Sequence, residues 1–224
     1  MKRKTKVLYT LSAVLLAAFG ALIVLLRTYD VQAVGPQNSK IGFAALNMRV
    51  WNALGQSDLW YEITEALGLV AIAAVGAIVL LALAQWIRRK NLFRLDIDLW
   101  LTAAFLGVMA VLYVLFEVVV INYRPVLEEG ALAASFPSSH TLLVFCVMWA
   151  AALQCARRIR PKSIRVAAVC VCILIIAVTA VGRLCSGVHW LTDIVGSVLL
   201  SGGLGLLYSA LVSSTVTKGK HDQK

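Results

Sequence analysis

Charge is nearly absent from six long stretches of this chain, and no segment reads as a soluble domain. The runs are roughly Val7–Leu26, Ala66–Ile87, Leu99–Ile121, Thr141–Ala156, Val166–Gly182 and Leu191–Val212. There is no internal repeat and no low-complexity tract. After the first run there is no convincing small-residue cleavage site, and the run is longer than a signal-peptide core, so it reads as an uncleaved anchor. Cysteine offers no disulfide framework. Of Cys146, Cys155, Cys170, Cys172 and Cys185, only Cys185 falls near the outer end of a run, where it has no partner. All five read as packing residues.

What is present is apolar. Of 224 residues, 61% are hydrophobic, against about 45–50% in soluble domains, and the mean hydropathy is +0.86. A helix needs ~20 apolar residues to cross ~30 Å of hydrocarbon. The six runs meet or approach that length. The fourth and fifth are short, so their helices should extend into flanking polar residues. The expected fold is all-α: a polytopic membrane protein with six transmembrane helices and one membrane-embedded domain over residues 1–224.

The net charge of +10 could suggest nucleic acid, but its distribution argues otherwise. Basic clusters lie at Lys2–Lys6, Arg88–Arg94, Arg157–Arg165 and Lys218–Lys224. Six crossings put all four on one side, which is the positive-inside pattern. Both termini, including the tail 214–224, are therefore expected in the cytoplasm. The longest outer segment, 27–59, contains Asn47–Leu54, which reads as a short interfacial helix. Trp51, Trp60 and Tyr61 suit a headgroup-level belt, or a wall over a lipid-binding site.

Three polar clusters interrupt this pattern at the outer ends of the runs: Arg124-Pro125, Pro137-Ser138-Ser139-His140, and Arg183 through His189 to Asp193. His189 and Asp193 are four apart, on one helical face if the last span begins nearby. A carboxylate beside an imidazole fixes its tautomer and leaves the other nitrogen as nucleophile or base. Ser138 is a natural N-cap, so the amides after it form an anion site. His140, in the first turn, can protonate a leaving oxygen. Arg124 and Arg183 offer paired donors matched to phosphate oxygens. Preorganised donors of this kind supply roughly 3–4 kcal/mol each. Taken singly, each residue has a plainer role as anchor, interface residue or cap. Their convergence on one membrane face points to phosphate chemistry. Two nearby guanidiniums would repel a bound metal ion, so no metal or other cofactor is expected.

The order R-P, P-S-x-H, R-x-x-x-x-x-H-x-x-x-D resembles the type 2 phosphatidic acid phosphatase superfamily of integral membrane lipid phosphatases. The resemblance implies that His189 attacks phosphorus to form a phosphohistidine and that Asp193 orients it. His140 would protonate the leaving group and later help to activate water. Arg124, Arg183, Ser138 and the Ser139 amide would hold the phosphoryl oxygens. Three departures stand out. Glu117 occupies the lysine position of the first motif, Ser139 replaces glycine, and Gly182 replaces the serine before Arg183. Glu117 is expected to share the helical face of Arg124 and look into the pocket.

The implied activity is metal-independent hydrolysis of a long-chain lipid phosphate or pyrophosphate at the outer leaflet of the plasma membrane. A polyprenyl pyrophosphate such as the undecaprenyl carrier of cell wall synthesis is the favoured substrate. Phosphatidylglycerol phosphate and phosphatidic acid are alternatives, as are a lipid phosphotransferase and a catalytically weakened lipid-binding homologue. Expected partners are the lipid substrate and membrane lipids, with no nucleic acid.

Overall fold

The computed structural model of the chain describes residues 3–219, with side chains to residue 215. Of the predicted orientation signals, Lys2, Lys220 and Lys224 lie outside the described residues, as does the end of the tail 214–224. Seven α-helices follow in order: α1 (Arg3–Thr28), α2 (Ala44–Leu54), α3 (Asp58–Arg89), α4 (Ile97–Val118), α5 (Ser139–Arg158), α6 (Lys162–Cys185) and α7 (Leu191–Gly219). All except α2 are long and apolar enough to cross a membrane. Among the described residues there is no strand, only isolated bridges. The all-α, six-span expectation holds.

Boundaries differ where polar residues sit on a helix. The second span begins at Asp58, not Ala66, capped by Ser57. Tyr61, Glu62, Thr64 and Glu65 are helical despite their polarity. The third span stops at Val118, three residues before the predicted Ile121. The short fourth and fifth spans do extend into polar flanks, to Arg158 and from Lys162.

The centre of the bundle is α5 and α7. Of the most apolar stretch of each helix, 56% of α7 and 44% of α5 is buried, against 11% for α1, α3 and α6. The outer helices instead turn Leu69, Ile72, Leu80, Val111 and Leu174 outward, as a hydrocarbon solvent requires. Cys170 also faces outward, so the packing role predicted for all five cysteines does not hold for it. Small residues let the helices of the core approach closely. The Ser12 hydroxyl of α1 donates to the Gly203 carbonyl at 2.7 Å, and a Cβ at Gly203 would meet Leu16 at 2.8 Å. Phe136 lies against Gly196 in the same way.

The antiparallel up-and-down order brings the N-terminal ends of α3, α5 and α7 together with the C-terminal ends of α4 and α6. All three motif clusters meet at that end. The opposite end holds Asp98, Arg157 and Arg158.

Candidate active site

Each site residue is held by a distinct local device. Arg124 sits in the α4–α5 connection, which doubles back on itself. Arg124 N–H donates to the Ala133 carbonyl at 3.1 Å and Ser135 N–H to the Asn122 carbonyl at 2.9 Å. Glu129 (φ 50°) and Gly130 (φ 81°) make the tight turn, since two successive positive φ values suit a hairpin of this twist. The doubled loop sets Arg124 beside the segment running into α5. The Trp190 indole donates to the Tyr123 carbonyl at 2.8 Å and ties the loop to the His189 segment.

Ser138 caps α5. It accepts from the Thr141 amide at 3.4 Å, and its own amide donates to the Asp193 carbonyl at 3.2 Å. The Ser197 hydroxyl bridges the Ser138 and Asp193 carbonyls at 2.9 and 3.0 Å. The starts of α5 and α7 are thereby fastened to each other. Ser139 opens α5 and is half-buried.

His189 and Asp193 are almost fully buried, at 1% and 0% exposure. Their Nδ1 and Oδ2 atoms lie 3.5 Å apart. Asp193 Oδ2 also accepts from the Trp190 amide at 2.8 Å and from the Ser135 hydroxyl in a short contact. The Ser135 oxygen is 3.3 Å from His189 Nδ1. Ser135 spends its proton on Asp193 and offers a lone pair to Nδ1–H, so hydroxyl and carboxylate together select the Nδ1–H tautomer. His189 Nε2 is buried and has no hydrogen-bond partner. Burial holds the His189 imidazole well below its usual pKa, and the positive charges of Arg124 and Arg183 push the same way. The ring is therefore neutral, with its lone pair free on Nε2.

Arg183 ends α6 and is 4% exposed at its side chain, where Nη1 donates to Glu65 Oε1 at 2.9 Å. Its guanidinium lies over the Tyr61 ring, 5.2 Å from the centroid, a favourable cation–π placement. Its Nε is buried without a partner. Arg124 bonds the Ala134 carbonyl through Nε at 3.1 Å and approaches Glu128 at 3.3 Å. His140 reaches across to α3, where Nε2 lies 2.8 Å from the Thr64 carbonyl.

The structure thus brings His140, His189, Asp193, Arg124, Arg183, Ser138 and Ser139 to one end. Glu117, in the last turn of α4, lies at the same end but outside the cluster. Because α4 ends at Val118, the helical register linking Glu117 to Arg124 is broken. Glu117 is exposed and makes no hydrogen bond or ion pair with the described residues. The acid beside the arginine is Glu65, on α3. Ser135 and Glu65 escaped sequence reasoning. Ser135 carries no signal beyond its closeness to Pro137, whereas Glu65 belongs to a stripe (Tyr61, Thr64, Glu65, Gly68) at helical spacing that interrupts the start of an apolar helix.

Helix α2 backs the site. Asn47 donates to the Gly42 carbonyl at 2.9 Å and to the Thr192 hydroxyl at 3.0 Å, and accepts from the Thr192 amide at 3.2 Å. The Trp51 indole donates to the Gly187 carbonyl at 2.9 Å. Among the described residues, no group of three or more His, Cys, Asp or Glu side chains is placed to hold a metal ion.

A buried His189 and a half-buried His140 stand with two arginines at one end of a six-span bundle. Residues 119–216 match the family described as PAP2 superfamily. No curated protein matches the chain by sequence. Among solved structures, the chain is similar to the "first transmembrane PAP2 type phosphatidylglycerolphosphate phosphatase from Bacillus subtilis". The TM-score is 0.66 and the identity 18%, over 91% of this chain and 96% of that one. The resemblance read from the three motifs is borne out, and the likeness of fold extends across nearly the whole chain.

Proposed function

We propose that this protein is a membrane lipid phosphatase that works through a phosphohistidine on His189. The observation that carries the reading is His189 Nε2: buried, unpartnered, neutral, and under the charge of two guanidiniums. A neutral imidazole beside fixed cations suits attack on an anionic phosphorus centre. Arg124 and Arg183 hold the phosphoryl oxygens, with Ser138 and the Ser139 amide at the start of α5. Asp193 and Ser135 keep the Nδ1 proton in place. His140 gives a proton to the leaving oxygen as the phosphorus–oxygen bond breaks. It then takes one from the water that releases phosphate from His189. The guanidiniums and helix amides supply the positive charge, so the reaction is proposed to be metal-independent.

The site end is assigned to the extracytoplasmic face and both termini to the cytoplasm, on the strength of the basic clusters at the other ends of the helices. A long apolar tail enters laterally between helices. A polyprenyl pyrophosphate is the favoured substrate. Phosphatidylglycerol phosphate is the second reading, favoured by the name of the structurally similar phosphatase.

The test is phosphate release by purified protein in detergent, with chelator present, from undecaprenyl pyrophosphate, phosphatidylglycerol phosphate and phosphatidic acid. Wild type should release phosphate from at least one, and His189→Ala should lose the activity by at least ~10³-fold. Equal, slow release by both proteins from every lipid contradicts the reading.

A further inference from the structure

The face of α3 that meets the site carries Tyr61, Thr64, Glu65 and Gly68, none of which belongs to the three motifs. Three of them surround His140. Its Nε2 lies 2.8 Å from the Thr64 carbonyl oxygen. A carbonyl can only accept, so Nε2 carries a proton in both charge states of the ring. In the neutral ring the lone pair is then on Nδ1. Glu65 Oε1 stands 3.7 Å from that nitrogen and is held there by Arg183 Nη1 at 2.9 Å. At Gly68 the ring comes close to the helix, where a Cβ would meet His140 Cε1 at 2.6 Å and Nε2 at 3.0 Å.

We infer that Glu65 is a positioning residue for proton transfer, and that with Thr64 and Gly68 it makes Nδ1 the working nitrogen of His140. The inference rests on the phosphatase reading and adds an atom and a counter-charge to it. The charged groups acting on His140 come from three elements. By charge alone the guanidiniums of Arg183 on α6 and Arg124 in the α4–α5 loop disfavour an imidazolium at this end of the bundle, and the Glu65 carboxylate on α3, 3.7 Å from the ring nitrogen, favours it. His189 next to them is neutral. Without Glu65, two fixed cations would stand at the ring with no opposing carboxylate, and the acid form would be harder to reach.

The step balances. The Nδ1 proton passes to the ester or anhydride oxygen while that oxygen leaves phosphorus and His189 Nε2 bonds to it. In the second half, water attacks phosphorus and the nitrogen–phosphorus bond breaks. The proton of that water returns to Nδ1.

Glu65→Gln keeps the shape and removes the charge. Two readouts separate a positioning role from a structural one. The first is nitrogen-15 NMR of histidine-labelled protein in detergent, which reports the tautomer and titration midpoint of His140 without turnover. Wild type should show the Nε2–H tautomer when neutral, and Glu65→Gln should lower the midpoint by about half a pH unit or more. The second is the pH profile of kcat. Its alkaline limb should move to lower pH in Glu65→Gln, with KM changed less than kcat, and Glu65→Asp should restore most of the loss. Gly68→Ala, which displaces the ring without touching the charge, should lower kcat and leave the Arg183 contact intact. An Nδ1–H tautomer, or a midpoint and limb unmoved by Glu65→Gln while wild type turns over, overturns the role of Glu65 and leaves the phosphatase reading standing. Absence of turnover in wild type overturns both.

Discussion

The two ends of the bundle each gather arginine and aspartate, and they do opposite things with them. At the far end, Asp98 of α4 is 2% exposed. It accepts from Arg157 at 3.0 Å and from Arg158 at 2.7 Å, while Arg158 also approaches Asp96 at 3.6 Å. Thr102, Tyr208 and Gln154 complete a hydrogen-bonded layer across α4, α5 and α7. Charge meets countercharge there, and the helices are tied. At the site end, a neutral His189 is buried among cations, and Nε2, Arg183 Nε and Asp193 Oδ1 have no partners. Buried polar groups are normally satisfied. At the far end the atoms left without a hydrogen bond, Gln154 Oε1 and Arg158 Nη2, belong to side chains otherwise tied to Thr102 and Asp98, whereas the site end leaves a whole imidazole lone pair unspent beside an unspent guanidinium donor, which suits a ligand rather than the tying of helices.

Substitutions at the two ends should therefore part activity from stability. Among residues outside the three motifs, the largest effect is expected at Ser135. Ser135→Ala removes the hydroxyl joining His189 to Asp193, and kcat should fall ~10–100-fold, as when an outer partner of a working imidazole is lost. KM and melting temperature should barely move. Asp98→Ala should behave inversely. Two guanidiniums lose their shared acceptor, costing about 2 kcal/mol. The melting temperature in detergent should drop, while phosphate release per folded molecule stays unchanged. A loss of kcat in Asp98→Ala would break the division.

Acid should also act unequally on the two ends. His189 titrates near 6.5 when unfolded and well below that when folded, because burial opposes its charge. Below about pH 6.5 the unfolded chain binds a proton that the folded chain refuses. The contribution of His189 to stability is thus full above that pH and is lost progressively below it. Replacing His189 with Gln should flatten that part of the melting curve against pH. The smallest effect is expected for Glu117→Lys. Exposed and unpaired on α4, Glu117 should leave kcat/KM within about twofold across lipid phosphates, since surface changes away from a site are usually near neutral.

Much of this arrangement could be read before any coordinates. Six apolar runs gave the spans, because the requirement for length and low charge in hydrocarbon is severe. The three motifs gave His140, His189, Asp193, Arg124 and Arg183 as neighbours, because six crossings leave their loops on one face. Misreadings arose where one residue obeyed two rules. Glu117 was assigned to the pocket by extending α4 through Ile121 to Arg124, but the helix ends at Val118 and the register with it. Glu65 was overlooked because a carboxylate among polar neighbours looks like the end of a span, whereas here the helix continues and the acid is matched to Arg183. Ser135 has no periodicity to betray it, and its place depends on how the α4–α5 loop doubles back.

The central claim is that His189 Nε2 makes the bond to phosphorus. Rapid acid-free quenching of the protein with phosphorus-32-labelled lipid phosphate, followed by peptide mass spectrometry, tests it directly. The expected result is a base-stable, acid-labile phosphate on His189, absent from His189→Ala. A label on another residue, or turnover with no phosphorylated intermediate on His189 under conditions that trap one, would contradict it.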